Sequence, residues 1–113
     1  GVWMRNQRIR LYGVDAPESR TSDTEEKRFG LLSKDFLTRW TSSGHLTIKT
    51  FKDSKGKYGR ILGEIWYYGE HNINQLLIDH HLAVAYHGQS KDEIAQEHLD
   101  NREKVDLFEI YKD

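Results

Sequence analysis

The order of three hydrophobic patterns constrains the fold of this chain more than any other feature of its sequence. Residues 8–14 alternate loosely between apolar and polar side chains, which predicts a strand. A stripe of apolar residues at spacings of three and four then predicts an amphipathic helix over 24–40: Phe29, Leu32, Phe36 and Trp40. Residues 45–52 and 58–68 alternate on either side of a polar turn, which predicts a β-hairpin. This order of elements indicates an α+β fold.

Weaker signals predict two further helices after the hairpin. Asn72 or Asn74 can cap a short helix, because an asparagine side chain can accept a hydrogen bond from an N–H group of the first helical turn. Ser90 followed by Glu93 forms a capping box and predicts a helix that runs to about residue 100. We expect one domain over 1–113, with a tail of undefined structure at 100–113.

Composition excludes several classes of protein. The 113 residues include no cysteine, which rules out a disulfide framework, a cysteine nucleophile and thiolate metal sites. The longest apolar runs fall far short of the roughly 20 residues that a membrane-spanning helix requires. We therefore expect neither a membrane partner nor chemistry that depends on sulfur.

Charge is distributed unevenly along the chain. Residues 1–60 contain 13 Lys and Arg against 7 Asp and Glu, a balance of +6, whereas residues 61–113 contain 4 against 11, a balance of −7. The densest basic segment lies at 49–60. Such a segment on a protein of net charge −1 indicates one local site for a polyanion. Lysines that blunt an exposed strand edge would produce the same pattern, and charge alone leaves both interpretations open.

Two short motifs contain residue types suited to phosphate chemistry: Arg10-Leu-Tyr-Gly-Val-Asp15-Ala16-Pro17-Glu18 and Lys57-Tyr58-Gly59-Arg60. The Asp15 carboxylate follows a strand and is a hard oxygen ligand of the kind that Ca²⁺ or Mg²⁺ prefers. Glu18 is close enough in sequence to act as a base on a water molecule. Arg10 and Arg60 carry guanidinium groups that can stabilise the charge of a phosphoryl transition state. Ordinary ion pairs at strand ends are the alternative.

Together the two motifs resemble the staphylococcal nuclease (thermonuclease) family. The family pattern is Arg-x-x-x-x-Asp-x-Pro-Glu, a helix, a strand, and Lys-Tyr-Gly-Arg at the start of the next strand, and the resemblance covers about residues 2–99. It implies an OB-fold, a five-stranded β-barrel with three helices. It also implies a Ca²⁺-dependent monomeric nuclease that cleaves DNA, and RNA as well, with low sequence specificity and leaves 3′-phosphates.

The resemblance also implies roles for individual residues. Asp15 would be a direct Ca²⁺ ligand, and the backbone carbonyl of Ala16 would be a second one. Glu18 would be the general base, while Arg10 and Arg60 would bind and stabilise the phosphoryl group.

The resemblance places three further residues beside the substrate. Lys57 would meet a terminal phosphate, and Tyr58 and Tyr86 would border the nucleotide. Packing at the barrel rim is an almost equal alternative for the two tyrosines.

The sequence departs from the family in several places. The family carries an Asp-Gly-Asp-Thr turn between its first two strands, and its second Asp is another metal ligand; no Asp-Gly-Asp occurs here. We therefore expect a domain that lacks its N-terminal strand and has little activity as this chain alone. His81 replaces a glycine and is expected to adopt a left-handed backbone conformation.

Two other classes of function stay open. One is a non-catalytic nucleic-acid-binding module of the same fold, and the other is a protein-interaction domain. A zinc site is not expected from the histidines, which we interpret as surface or capping residues: His80, His81, His87 and His98.

Overall fold

The computed structural model describes residues 2–4, 7–42, 44–52 and 61–107, with side chains from residue 9 onward. Its elements in chain order are β1 Val2–Met4, β2 Gln7–Leu11, β3 Val14–Asp15, α1 Thr24–Thr41, β4 Leu46–Lys52, β5 Ile61–Tyr67, β6 His71–Asn72, α2 Ile73–Asp79, β7 Val84–Ala85 and α3 Lys91–Lys104. Within these ranges no helix combines the length and apolarity needed to cross a membrane.

Five strands form one mixed sheet in the order β1-β2-β5-β4, with β6 paired to β5. β2 runs parallel to β5, so that Arg10 lies opposite Leu62, and β4 and β5 form the predicted antiparallel hairpin. β3 and β7 form a separate antiparallel pair in which Asp15 lies opposite Val84. The α+β class is thus confirmed. The closed barrel stays a prediction, because no pairing among the described strands joins the two sheets.

Alternation along the strands separates a buried face from a solvent face, as the sequence predicts. Ile9 and Ile65 point into the core and are 0% and 1% exposed, whereas the neighbouring Arg10 is exposed. A second cluster of buried apolar side chains lies between α1, α2 and β7: Val14, Phe36, Leu77, Leu82 and Ala83. Since Val14 belongs to this cluster, the strand that carries Asp15 is anchored in the core.

Each of the three described helices begins after a capping residue, and α2 and α3 begin where the sequence predicts. Asp23 caps α1 by accepting hydrogen bonds from the N–H groups of residues 25 and 26, Asn72 caps α2, and Ser90 caps α3. α1 buries Phe29 and Phe36, whereas none of the side chains of α3 is buried. The hydrophobic effect therefore accounts well for the docking of α1 and poorly for the docking of α3.

Among the described residues, two that are not glycine adopt the left-handed backbone conformation. His81, after α2, has φ 61°, which confirms the conformation expected for a residue that replaces glycine. Tyr68 has φ 53° and is followed by Gly69 with φ 69°, and the N–H of Glu70 donates to the carbonyl of Tyr67 at 3.1 Å. These angles are those of a type I′ turn, which matches the twist of the hairpin strands β5 and β6.

Candidate active site

The Asp15 carboxylate lies where the two-stranded sheet meets solvent. β3 pairs with β7, and the pairing continues as the N–H of Tyr86 donates to the carbonyl of Gly13 at 2.8 Å. The Asp15 side chain is 33% exposed, and Tyr86 is 45% exposed. The fold therefore brings the predicted metal ligand close to one of the predicted substrate-binding tyrosines, although they are far apart in sequence. The exposure of Tyr86 argues against a purely packing role for its ring.

The backbone of Glu18 is held against α1 by a glycine. A Cβ atom at position 30 would overlap the Glu18 carbonyl and would lie 2.7 Å from the Ser19 nitrogen, so only glycine allows this approach. The Glu18 side chain is exposed. Its carboxylate is thus presented to solvent from a fixed backbone, which suits a group that acts on water. Ala16, the predicted carbonyl ligand, is also exposed.

Arg10 lies on the solvent face of β2. It is exposed and makes no ion pair within 4.0 Å with any carboxylate of the described residues, so the alternative of an Arg10–Asp15 ion pair is not observed. In the parallel pairing, Ile9 lies opposite Ile61, the residue that follows Arg60 in the chain. Three predicted site residues lie outside the described residues: Lys57, Tyr58 and Arg60.

The partner of Asp15 is a histidine that the sequence interpretation missed. His98 Nε2 lies 2.8 Å from Asp15 Oδ2, and the His98 side chain is only 15% exposed. The interpretation of His98 as a surface or capping residue was wrong. A signal did exist: Ile94, His98 and Asn101 recur at spacings of four and three, and all three are partly buried on the inner face of α3.

The donor set around Asp15 suits an oxygen-preferring cation. Among the described residues, no group of three or more His, Cys, Asp or Glu side chains could hold a metal ion. A zinc site typically takes four such ligands, whereas Ca²⁺ readily combines a single carboxylate with backbone carbonyls and water. The partly exposed carboxylate of Asp15 and the exposed Ala16 are compatible with the latter arrangement.

Comparisons with known proteins point to one family. The sequence profile described as staphylococcal nuclease homologue matches residues 8–105. Endonuclease YhcR of Bacillus subtilis (strain 168) is 33% identical over 85 residues, which are 70% of this chain and 7% of that protein. The thermonuclease of Staphylococcus hyicus is 31% identical over 81 residues, 72% of this chain and 47% of the relative. The thermonuclease of Staphylococcus intermedius is 30% identical over 81 residues and 48% of its length.

The chain spans less than half of the length of each of these relatives. The profile match nevertheless runs from β2 through the whole of α3, and so includes Arg10, Asp15, Glu18, Tyr86 and the α3 segment. The family resemblance of the two motifs is thereby confirmed over most of the sequence. This chain belongs to the staphylococcal nuclease family.

Proposed function

We propose that this chain is the nuclease domain of an enzyme that hydrolyses phosphodiester bonds of DNA or RNA with low sequence specificity. Its three relatives named above are an endonuclease and two thermonucleases. One observation carries the proposal. The segment from Asp15 to Glu18 is fixed at both ends, by the β3–β7 pairing and by Gly30, while its carboxylates are accessible to a ligand.

The exposed carboxylate of Glu18 acts in this proposal as the base that removes a proton from the attacking water. General-base assistance from a positioned side chain contributes typically about 10²–10⁴-fold to a rate. The contact of its backbone with Gly30 restricts where the carboxylate can reach. This restriction favours a single direction of attack on phosphorus.

Arg10 supplies positive charge where the transferring phosphoryl group gains negative charge. Because no described carboxylate neutralises its guanidinium, the group is available to an oxyanion. Arg60 is proposed as the second such group, and Lys57, Tyr58 and Tyr86 as contacts to the bound nucleotide. An arginine aimed at a developing charge stabilises the transition state more than the ground state, and so raises kcat.

Ca²⁺ is the proposed cofactor. The Asp15 carboxylate and the Ala16 carbonyl would hold it, and the bound ion would polarise a phosphoryl oxygen. Independently of the ion, the chain's own residues orient the water and bind the phosphate.

The test is calcium-dependent degradation of plasmid DNA by the full-length gene product, with a chelator as control. We expect Glu18→Gln and Arg60→Gln to reduce turnover by several orders of magnitude, with an unchanged thermal midpoint. Glu25→Gln, which removes an exposed carboxylate from the first turn of α1, is the matched control and should retain parental turnover. Parental turnover of the Arg60→Gln variant would remove that residue from the mechanism.

Binding experiments distinguish the alternatives that the sequence leaves open. Salt-sensitive binding of single-stranded DNA without cleavage would favour a non-catalytic nucleic-acid-binding module over an enzyme. Absence of both binding and cleavage would favour a protein-interaction domain. The 113-residue chain assayed alone tests the separate expectation that it has little activity.

A further inference from the structure

α3 reaches the candidate active site through hydrogen bonds instead of a hydrophobic face. The Asn101 side chain donates to the Ala83 carbonyl at 3.3 Å. The Gln89 amide donates to the Ala85 carbonyl at 2.7 Å and to the Glu97 carboxylate at 3.1 Å. These contacts attach α3 to β7 and to Ala83, the residue just before β7. β7 is the strand that pairs with the strand of Asp15.

A further contact, between His98 and Asp15, links α3 directly to the proposed metal ligand. An ionised carboxylate only accepts hydrogen bonds, so Nε2 of His98 is assigned as the donor of this bond. Oδ2 of Asp15 is occupied by this bond at 2.8 Å, whereas Oδ1 makes no hydrogen bond to any residue that the structure describes. The bond spans 83 residues of sequence. One carboxylate oxygen is thus held by α3, and the other is available to a ligand.

We propose that His98 is a positioning residue for Asp15. Its hydrogen bond restricts rotation of the Asp15 side chain and presents the carboxylate in one orientation. The consequence for calcium rests on the proposed function, in which Asp15 binds the ion. Groups that orient a metal ligand from outside the coordination shell typically change metal affinity or activity by about 10–100-fold when they are removed. α3 therefore contributes to the active site without touching the substrate.

The decisive comparison is between two amide substitutions of the same histidine in the full-length gene product. Glutamine places its Nε2 donor at about the same distance from the backbone as the Nε2 of histidine, whereas asparagine is shorter by one methylene and cannot reach Asp15. The helix propensities of glutamine and asparagine differ by a few tenths of a kcal/mol. His87→Asn is the matched control, because His87 is exposed and its imidazole makes no hydrogen bond to any described residue, while its backbone N–H donates to Gln89.

Two readouts are needed. The first is amide hydrogen exchange in a chelator, followed in peptides that cover 13–18 and 91–104. The second is calorimetric titration with Ca²⁺, with Asp15→Asn identifying the part of the binding that belongs to this site. We expect His98→Asn to lose protection in both peptides and to bind Ca²⁺ about tenfold more weakly. His98→Gln and His87→Asn should stay within about twofold of the parent.

The possible outcomes separate the two proposals. Equal protection and calcium affinity in His98→Asn and the parent would overturn the positioning role. Equal losses in His98→Gln and His98→Asn would also overturn it, because the ring and not the donor would then be responsible. If the parent binds no Ca²⁺ but protection still depends on the donor, the calcium site is wrong while the positioning of Asp15 by His98 is supported.

Discussion

Asn74 offers the sharpest test of how the fold supports the site. This residue is 4% exposed and makes three hydrogen bonds with the backbone. Its amide nitrogen donates to the carbonyls of Tyr12 and Gly63, both at 2.9 Å, and its Oδ1 accepts from the N–H of Ile65 at 3.2 Å. One side chain thereby joins α2 to β5 and to Tyr12, the residue that follows β2. Replacing Asn74 with alanine leaves these backbone groups without their partner.

The three groups do not contribute equally to the loss. The Ile65 N–H belongs to a residue that is 1% exposed, so its orphaned donor costs about 2 kcal/mol. The Tyr12 carbonyl is only partly buried and finds water at a cost of about 1 kcal/mol. The Gly63 carbonyl still accepts from the Tyr12 N–H at 2.8 Å. We therefore expect Asn74→Ala to lower the free energy of unfolding by about 3 kcal/mol, which corresponds to a midpoint lower by about 12 °C for a chain of this length.

Urea unfolding of the parent and three variants measures this loss. Asn74→Asp should be less stable than Asn74→Ala near neutral pH, because it replaces the donor with an oxygen that faces two carbonyl oxygens. Gln75→Ala, at an exposed position of α2 whose side chain bonds only to Asp79, should change stability by less than about 0.5 kcal/mol. A loss below about 1 kcal/mol for Asn74→Ala would refute the reasoning, as would an Asn74→Asp variant as stable as the parent.

Three further predictions each concern one residue, and the same urea measurement checks them. Gly30→Ala should lower stability by about 1–3 kcal/mol, because the added methyl group displaces the Glu18 backbone. Helix propensity alone would instead raise stability by up to about 1 kcal/mol, and such an increase would show that the Glu18 backbone does not pack closely against Gly30. Ser33→Ala should cost about 1–2 kcal/mol, because the buried hydroxyl donates to the Leu82 carbonyl at 2.6 Å; an unchanged midpoint would mean that water replaces the hydroxyl. His81→Gly should raise stability by about 0.5–1 kcal/mol, since φ is 61° there, and a loss would show that the imidazole makes a favourable contact.

Local patterns in the sequence predicted most of the secondary structure. The apolar stripe predicted α1 to within a residue at its C-terminal end, and Ser90 with Glu93 predicted the start of α3. The strand expected over 8–14 is instead divided: β2 ends at Leu11, and Gly13 has φ 73° before β3 begins. This turn separates the two sheets, and the loose alternation of the segment did not reveal it.

The residues of the candidate site could be named from the sequence, and their roles stay predictions. Those of the first motif have types and a spacing that suit phosphate chemistry, and Asp15, Glu18 and Arg10 are accessible in the fold. His98 was missed because its role depends on a partner 83 residues away. The spacing of Ile94, His98 and Asn101 indicates which face of α3 is turned inward, but it does not show which group that face meets. The positions of Arg60, Lys57 and Tyr58 stay predictions.

The sequence by itself determined the helices, the hairpin and the acidic and basic residues available for phosphate chemistry, because each of these depends on residues within a few positions of one another. Only the tertiary structure decided that α3 donates a hydrogen bond to Asp15, that the Glu18 backbone packs against Gly30, and that Asn74 joins β5 to the residue that follows β2. These contacts depend on how whole elements pack, and packing brings together groups whose separation along the chain no local pattern records.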